Sequence, residues 1–264
     1  MIRFTKMQGL GNDFVVFETT ADANLPSPER WREWSHRKTG IGFDQALVIQ
    51  PARNTDTIAY YRIFNADGSE VEQCGNGARC VAEWLRRHRG LEGAIRLESR
   101  GGHIEARFEQ EGLVSVDMGE PRFLDDGEIT LSIDTNTIHF TRVSMGNPHI
   151  VISVPDVDSA PVAQLGPILE SHPMFPQKTN VGFLQIVDRQ HARLRVFERG
   201  VGETLACGTG ACAAMAAGRR DGKFDSAVAI DLPGGRLRLR WDGPGSHLWM
   251  TGPAVVSFEG SIEE

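Results

Sequence analysis

The chain contains itself twice. RIFNADGSEVEQCGNGA (62–78) aligns without gaps on RVFERGVGETLACGTGA (195–211); seven of seventeen positions are identical and the shared cysteines lie 133 residues apart. Three further pairs keep the same order at nearly the same offset: GNDFVVF (11–17) with GNPHIVI (146–152), GFDQ (42–45) with GFLQ (182–185), and RGGHIEARF (100–108) with PGGRLRLRW (233–241). A repeat constrains architecture more than any local pattern, because each copy must be built the same way. The expected fold class is therefore α+β, made of two pseudo-symmetric duplicated domains over residues 1–120 and 121–264, with a tail at about 254–264 packing back on the first. The join falls in EPRFLDDGE (120–128), where Pro and acidic residues replace alternating patterns.

Within each copy a short apolar strand (FVVF, HIVI) comes first and further strands follow (ALVIQ, FLQIV). A glycine-rich cysteine turn then leads into a helix, ARCVAEWLRRHR (78–89) or ACAAMAAGRR (211–220). HIEARF and RLRLRW then alternate with the period of two of half-buried strands. The second helix is so rich in alanine that strands are expected to enclose it on most sides. Each domain thus reads as mostly antiparallel strands wrapped around one central helix.

The cysteines are Cys74, Cys80, Cys207 and Cys212. Five and four residues separate the members of each pair, which does not match the two-residue spacing of zinc knuckles, and no metal is expected. Cys80 and Cys212 fall on apolar helical stretches and read as buried core. Cys74 and Cys207 occupy the same place in both copies, just before a helix, with Asn76 and Thr209 two residues on as candidate N-caps. Unpaired N–H groups at a helix start favour a thiolate and hold carboxylates. Duplicated halves related by a twofold axis would set these thiols across one inter-domain cleft. Two opposed thiols suit inversion of a carbon centre, one removing a proton from one face and the other delivering a proton to the opposite face.

The net charge of −7 opposes a nucleic-acid or anionic-membrane partner. No apolar run is long enough for a signal peptide or for a membrane helix of roughly 20 residues, so a cytoplasmic location is expected.

The words GLGNDF, GIGFDQ, FNADGSE, QCGNGARC, SMGNPH, NVGF, ERGVGET and ACGTGACA resemble the diaminopimelate epimerase family, in a likeness that runs from KMQGLGNDF at residue 6 to MTG at 250–252. The resemblance implies a pyridoxal-independent isomerase with no cofactor, interconverting LL- and meso-2,6-diaminopimelate in lysine and peptidoglycan-precursor biosynthesis. Cys74 and Cys207 would be its two acid/base groups, Cys207 the acceptor and Cys74 the donor from LL to meso. Gly75 and Asn76, with Gly208 and Thr209, would hold the carboxylate at the reacting carbon; Thr209 stands where the family often has Ser, and keeps the hydroxyl.

For the distal end the resemblance implies Asn12, Asn65, Asn147, Asn180 and Arg199, with Gln45 lining the site and Glu198 available to the ammonium. His149 and Glu198 match positions that tune the thiol pKa values. Phe258 lies near a tyrosine that related enzymes use at a dimer contact, so a homodimer is expected. Oxidation joining Cys74 to Cys207 would switch such an enzyme off. The alternatives are a proline-racemase-like two-cysteine enzyme, a thiol hydrolase or redox enzyme that needs one cysteine, and a non-catalytic amino-acid-binding protein.

Overall fold

The computed structural model describes residues 1–20, 25–72, 74–133 and 136–263. Contacts between Cα atoms separate it into two units, Met1–Asp117 with Thr251–Glu264, and Met118–Met250.

In the first unit, Ile2–Gly9 lies between Val255–Ile262 and Asn12–Glu18, antiparallel to both. Asn12–Glu18 runs parallel to Gln45–Gln50, which pairs antiparallel with Ala59–Asn65. The latter is parallel to Ala94–Ser99, and Gly102–Phe108 and Leu113–Asp117 complete the series antiparallel. Helix α1 (Pro28–Ser35) fills the first parallel crossover and α2 (Gly75–Arg89) the second. The second unit repeats this plan. Asn136–Ser144 pairs antiparallel with Pro148–Ser153, which is parallel to Asn180–Ile186. His191–Glu198 follows antiparallel, then Ala227–Leu232 parallel to it and Gly235–Arg240 antiparallel. Helices α3 (Val162–Glu170) and α4 (Gly208–Arg220) occupy the two crossovers.

Side-chain burial explains why these strands form. Phe14, Val15, Val16 and Phe17 are all buried, because the sheet is covered on both faces. On one side Val15 and Phe17 join Trp31 and Trp34 of α1 in an aromatic core with Phe4, Phe43 and Phe64. On the other, α2 buries every residue from Gly75 to Leu85. Helix α4 is buried at ten of its thirteen residues, so its alanines meet strand side chains nearly all round. The identical residues of the longest repeat also do identical work. Arg62 pairs with Glu70 through two hydrogen bonds of 2.8 and 2.7 Å, and Arg195 pairs with Glu203 through two of 2.6 and 2.9 Å.

Three local expectations are corrected. Both copies open before FVVF and HIVI: Ile2–Gly9 precedes the first, and Arg122–Phe123, Ile129–Ile133 and Asn136–Ser144 precede the second; polar Thr5 and Lys6, buried within Ile2–Gly9, mask its pattern. Helix α1 was not legible as a periodic pattern, although Ser27 caps it and Pro28 follows at the first helical position. Helices α2 and α4 begin at Gly75 and Gly208, three residues before the expected starts, because the glycine-rich turns are themselves the first helical turns. Among the described residues no helix is long and apolar enough to cross a membrane.

Candidate active site

Asn76 and Thr209 do not cap the helices. The cysteines do: Cys74 (φ −147°, ψ 111°) and Cys207 (φ −115°, ψ 103°) have extended backbones at the N-cap position. Their carbonyls accept the first helical bonds, from Ala78 N–H at 2.8 Å and Ala211 N–H at 3.0 Å. The thiol therefore stands where a serine or aspartate oxygen ordinarily sits. The Cys74 Sγ accepts from Gly77 N–H at 3.4 Å, and the Gly210 N–H likewise favours the Cys207 thiolate.

With the cap position taken by sulfur, Asn76 and Thr209 turn to the strands. In the first unit Asn76 Nδ2 donates to Asn12 Oδ1 at 3.3 Å, and the Cys74 thiol lies 3.9 Å from that same oxygen. In the second, Asn147 Nδ2 donates to Thr209 Oγ1 at 3.3 Å, and Thr209 Oγ1 is 3.7 Å from Cys207 Sγ. Asn12 and Asn147 are equivalent in the repeat, as are Asn76 and Thr209. The duplicated sequence thus builds the same asparagine beside the same helix start twice. Asn12 stands next to the thiol of its unit.

The remaining residues fall into two sets. Gln45 and Asn65 face each other on paired strands, Gln45 Nε2 donating to Asn65 Oδ1 at 3.0 Å, and Asn65 Nδ2 donates to Ser69. Around Cys207, His149 Nε2 is 3.0 Å from Asn147 Oδ1, and Asn180 Oδ1 accepts from the backbone N–H of Arg199 at 3.0 Å. Asn180 Nδ2 donates to the Pro148 carbonyl at 2.8 Å, which ties the His149 and Arg199 turns together. Phe258 is 49% exposed and stands edge-on to Phe4 at 6.1 Å.

The electrostatics of the second set are uneven. Burial pushes the Cys207 thiol well above the usual range, Glu198 beside it adds to the rise, and the Gly210 N–H and Thr209 hydroxyl oppose it. Burial, and then the Arg199 charge, lower His149 to about 3, so the imidazole is neutral at ordinary pH and its Nε2–H donates to Asn147. Cys80 and Cys212 are fully buried within their helices, and burial raises Cys80 to about 12, as core thiols require. A cavity of about 810 Å³ lined by Ile2, Phe4, Val16, Trp84, His88 and Arg89 contains none of the site residues.

Four neighbours of the site were missed by sequence reasoning. Arg79, fully buried on α2, donates to Asn76 Oδ1 at 2.9 Å, and Asp44 accepts from Asn12 Nδ2 at 3.0 Å. Thr204 donates to Glu198, and Glu170 accepts from Gly200 N–H at 2.8 Å, bracing the Glu198–Arg199 turn. A signal for Arg79 did exist: a charged residue one helical turn beyond Asn76, on a helix otherwise apolar there.

The family model described as diaminopimelate epimerase matches residues 4–124 and 141–257. A diaminopimelate epimerase of Stutzerimonas stutzeri is 51% identical, covering 99% of this chain and 99% of that protein. One from Azotobacter vinelandii is 53% identical with the same coverage. Among solved structures, a PhzF-family phenazine biosynthesis protein of Bacillus anthracis superimposes with a TM-score of 0.74 at 18% identity, covering 100% of this chain and 99% of that one. A hydroxyproline epimerase of Agrobacterium vitis does so with a TM-score of 0.72 at 16% identity, covering 98% and 91%. At those identities the structures attest the duplicated fold.

Proposed function

This chain belongs to the diaminopimelate epimerase family, and from that premise we propose that it interconverts LL- and meso-2,6-diaminopimelate with Cys74 and Cys207 as its two acid/base groups. The observation that carries the reading is the double N-cap cysteine: two thiols at equivalent helix starts, the Cys74 sulfur accepting from the Gly77 N–H and the Gly210 N–H favouring the Cys207 thiolate. In the forward step one thiolate takes the α-proton, forming an S–H bond as the C–H bond breaks. The other thiol gives its proton to the opposite face of the same carbon, and the thiolate is regenerated on the other cysteine. Reversal exchanges the roles. Helix N–H groups at Gly75, Asn76, Gly208 and Thr209 suit the carboxylate on the reacting carbon, where they also stabilise charge that grows as the proton leaves.

From LL to meso, Cys207 is the acceptor and Cys74 the donor. Burial and Glu198 raise the Cys207 thiol while the Gly210 N–H and Thr209 hydroxyl lower it, so the charge on Glu198 sets how readily Cys207 gives up its proton. Arg199, its backbone fixed by Asn180, suits the distal carboxylate because a guanidinium presents paired donors; Asn65, Gln45 and Asn147 complete the polar lining. The enzyme works in the cytoplasm as a homodimer with the exposed Phe258 at its contact, which sedimentation of a Phe258→Glu variant tests.

Incubation with LL-diaminopimelate in D₂O under reducing conditions checks the function. Deuterium at the α-carbon together with meso product is the expected result. A folded, reduced protein that gives neither refutes it and makes proline the next substrate to try.

A further inference from the structure

The equivalent asparagines of the two units point in opposite senses. Behind Asn12 stands a carboxylate: Asp44 Oδ2 accepts from Asn12 Nδ2 at 3.0 Å, which leaves Asn12 Oδ1 toward Cys74. Behind Asn147 stands a donor: neutral His149 directs its Nε2–H at Asn147 Oδ1, which leaves Nδ2 toward Thr209 and Cys207. Asn76 is oriented as well, because the Arg79 guanidinium donates to its Oδ1 at 2.9 Å and turns its Nδ2 to Asn12. The first unit therefore holds two side-chain amides head to tail between a buried cation and an anion, an arrangement in which each hydrogen bond polarises the next.

We propose that Asp44 and Arg79 are positioning residues that fix Asn12 with its carbonyl oxygen on Cys74, so that this cysteine is held as the thiol and enters the reaction as the proton donor. The inference rests on the two-thiol reading above. An amide oxygen accepts the S–H hydrogen bond but is no base, so Cys74 keeps its proton until a carbanion takes it. A Cys74 thiolate would face the Asn12 lone pairs. At Cys207 the repeat presents a donor instead, through Asn147 and the Thr209 hydroxyl.

Gly9 marks how closely the clamp is built. A Cβ there would lie 3.1 Å from Arg79 Nη2 and 3.4 Å from the Pro253 carbonyl, which itself accepts from Arg79 Nε. Tyr61 on Ala59–Asn65 and Cys80 on α2 lie close enough to feel Cys74, and burial pushes both up, so they are uncharged at neutral pH.

Iodoacetamide alkylation of full-length protein, followed from about pH 6 to about pH 10 with Cys74 and Cys207 resolved by peptide mass spectrometry, tests this without turnover. Asp44→Ala lets Asn12 rotate an N–H onto the sulfur. The Cys74 half-titration point then falls by roughly half a unit to one unit, and its alkylation at neutral pH rises about three- to tenfold. Asp44→Asn removes the same charge but keeps an acceptor, and is expected to restore most of the original curve. In both variants the Cys207 curve stays in place, and in Asp44→Ala kcat from LL to meso falls with little change in KM.

Losing the Arg79 charge alone would raise the Cys74 point; in Arg79→Met a fall reports the loosened amide chain. Equal shifts in Asp44→Ala and Asp44→Asn, or an unchanged Cys74 curve in Asp44→Ala, overturn the inference; a rise in Arg79→Met overturns the part given to Arg79. Asp44 has a 43% exposed side chain, so its variants decide the matter if Arg79→Met fails to fold. The predicted shifts in a protein that does not epimerise diaminopimelate would leave the clamp standing and sink the functional reading.

Discussion

Adding a single methyl group at Gly210 separates catalytic geometry from stability. Gly210 is the third residue of α4, and its N–H opposes the rise that burial imposes on the Cys207 thiol. A Cβ built on it stands 3.2 Å from Cys207 Sγ, 3.3 Å from Cys207 Cβ and 3.0 Å from Val196 Cγ2. Those contacts are a few tenths of an ångström inside the optimum of about 3.5–4.0 Å, so the thiol must move by that much. Overpacking costs about 1–3 kcal/mol. Alanine regains about 1 kcal/mol over glycine as a helix former, which leaves a net loss of about 0–2 kcal/mol and a Tm lower by at most roughly 5 °C. Catalysis is more sensitive. A displacement of about 1 Å at a reacting group costs about a hundredfold, so a few tenths cost about three- to tenfold in kcat. Gly77→Ala is the internal control, because its Cβ would meet the flexible end of Leu47 at 3.0 Å and only the Cβ of Cys74, at 3.5 Å. It should change kcat by less than about twofold. The assay is epimerisation of LL-diaminopimelate with a thermal melt on each variant. Full kcat in Gly210→Ala, or equal losses in the two variants, would refute the reasoning.

Either Cys74→Ala or Cys207→Ala alone is expected to abolish turnover while leaving the fold intact by circular dichroism; one variant that epimerises normally would remove the two-thiol mechanism. Glu198→Gln takes away a charge that holds the Cys207 thiol protonated, so Cys207 should alkylate at lower pH, and an unchanged pH dependence counts against that role. The His149 ring protons should not titrate between about pH 5 and about pH 8 by NMR, since the buried imidazole protonates only at about 3. Asp13 is half-buried, which would raise its pKa, but hydrogen bonds from Arg37 and Lys6 outweigh burial and hold it at about 2 against 3.8 for an ordinary carboxyl. Its depressed pKa contributes about 1 kcal/mol, once solvent screening of the exposed Arg37 is allowed for, that is present above 3.8 and lost as pH falls from there through about 2. Asp13→Asn should flatten acid unfolding across that window, and an unaltered acid melt would show the pair to be unimportant.

Duplication, family and the equivalent placing of Cys74 and Cys207 before a helix were all written in the sequence by itself. Identical residues at a constant offset demand the same local backbone, and Gly-x-Gly after a cysteine can be read without knowing what lies opposite. The paired Arg62–Glu70 and Arg195–Glu203 bridges illustrate this, each preserved because both copies fold their strands in the same register. Tertiary structure decided what surrounds each thiol. Asn12 meets Cys74 across 62 residues of sequence, and whether its amide offers oxygen or nitrogen is settled by Asp44, which lies a further strand away. Nothing in GNDF or GNPH distinguishes those orientations, because an amide turns to suit its partners and the partners are chosen by strand register and burial. Arg79 teaches the same lesson: in sequence it is one more charge on a helix, and only the packing around α2 makes it a buried cation aimed at Asn76.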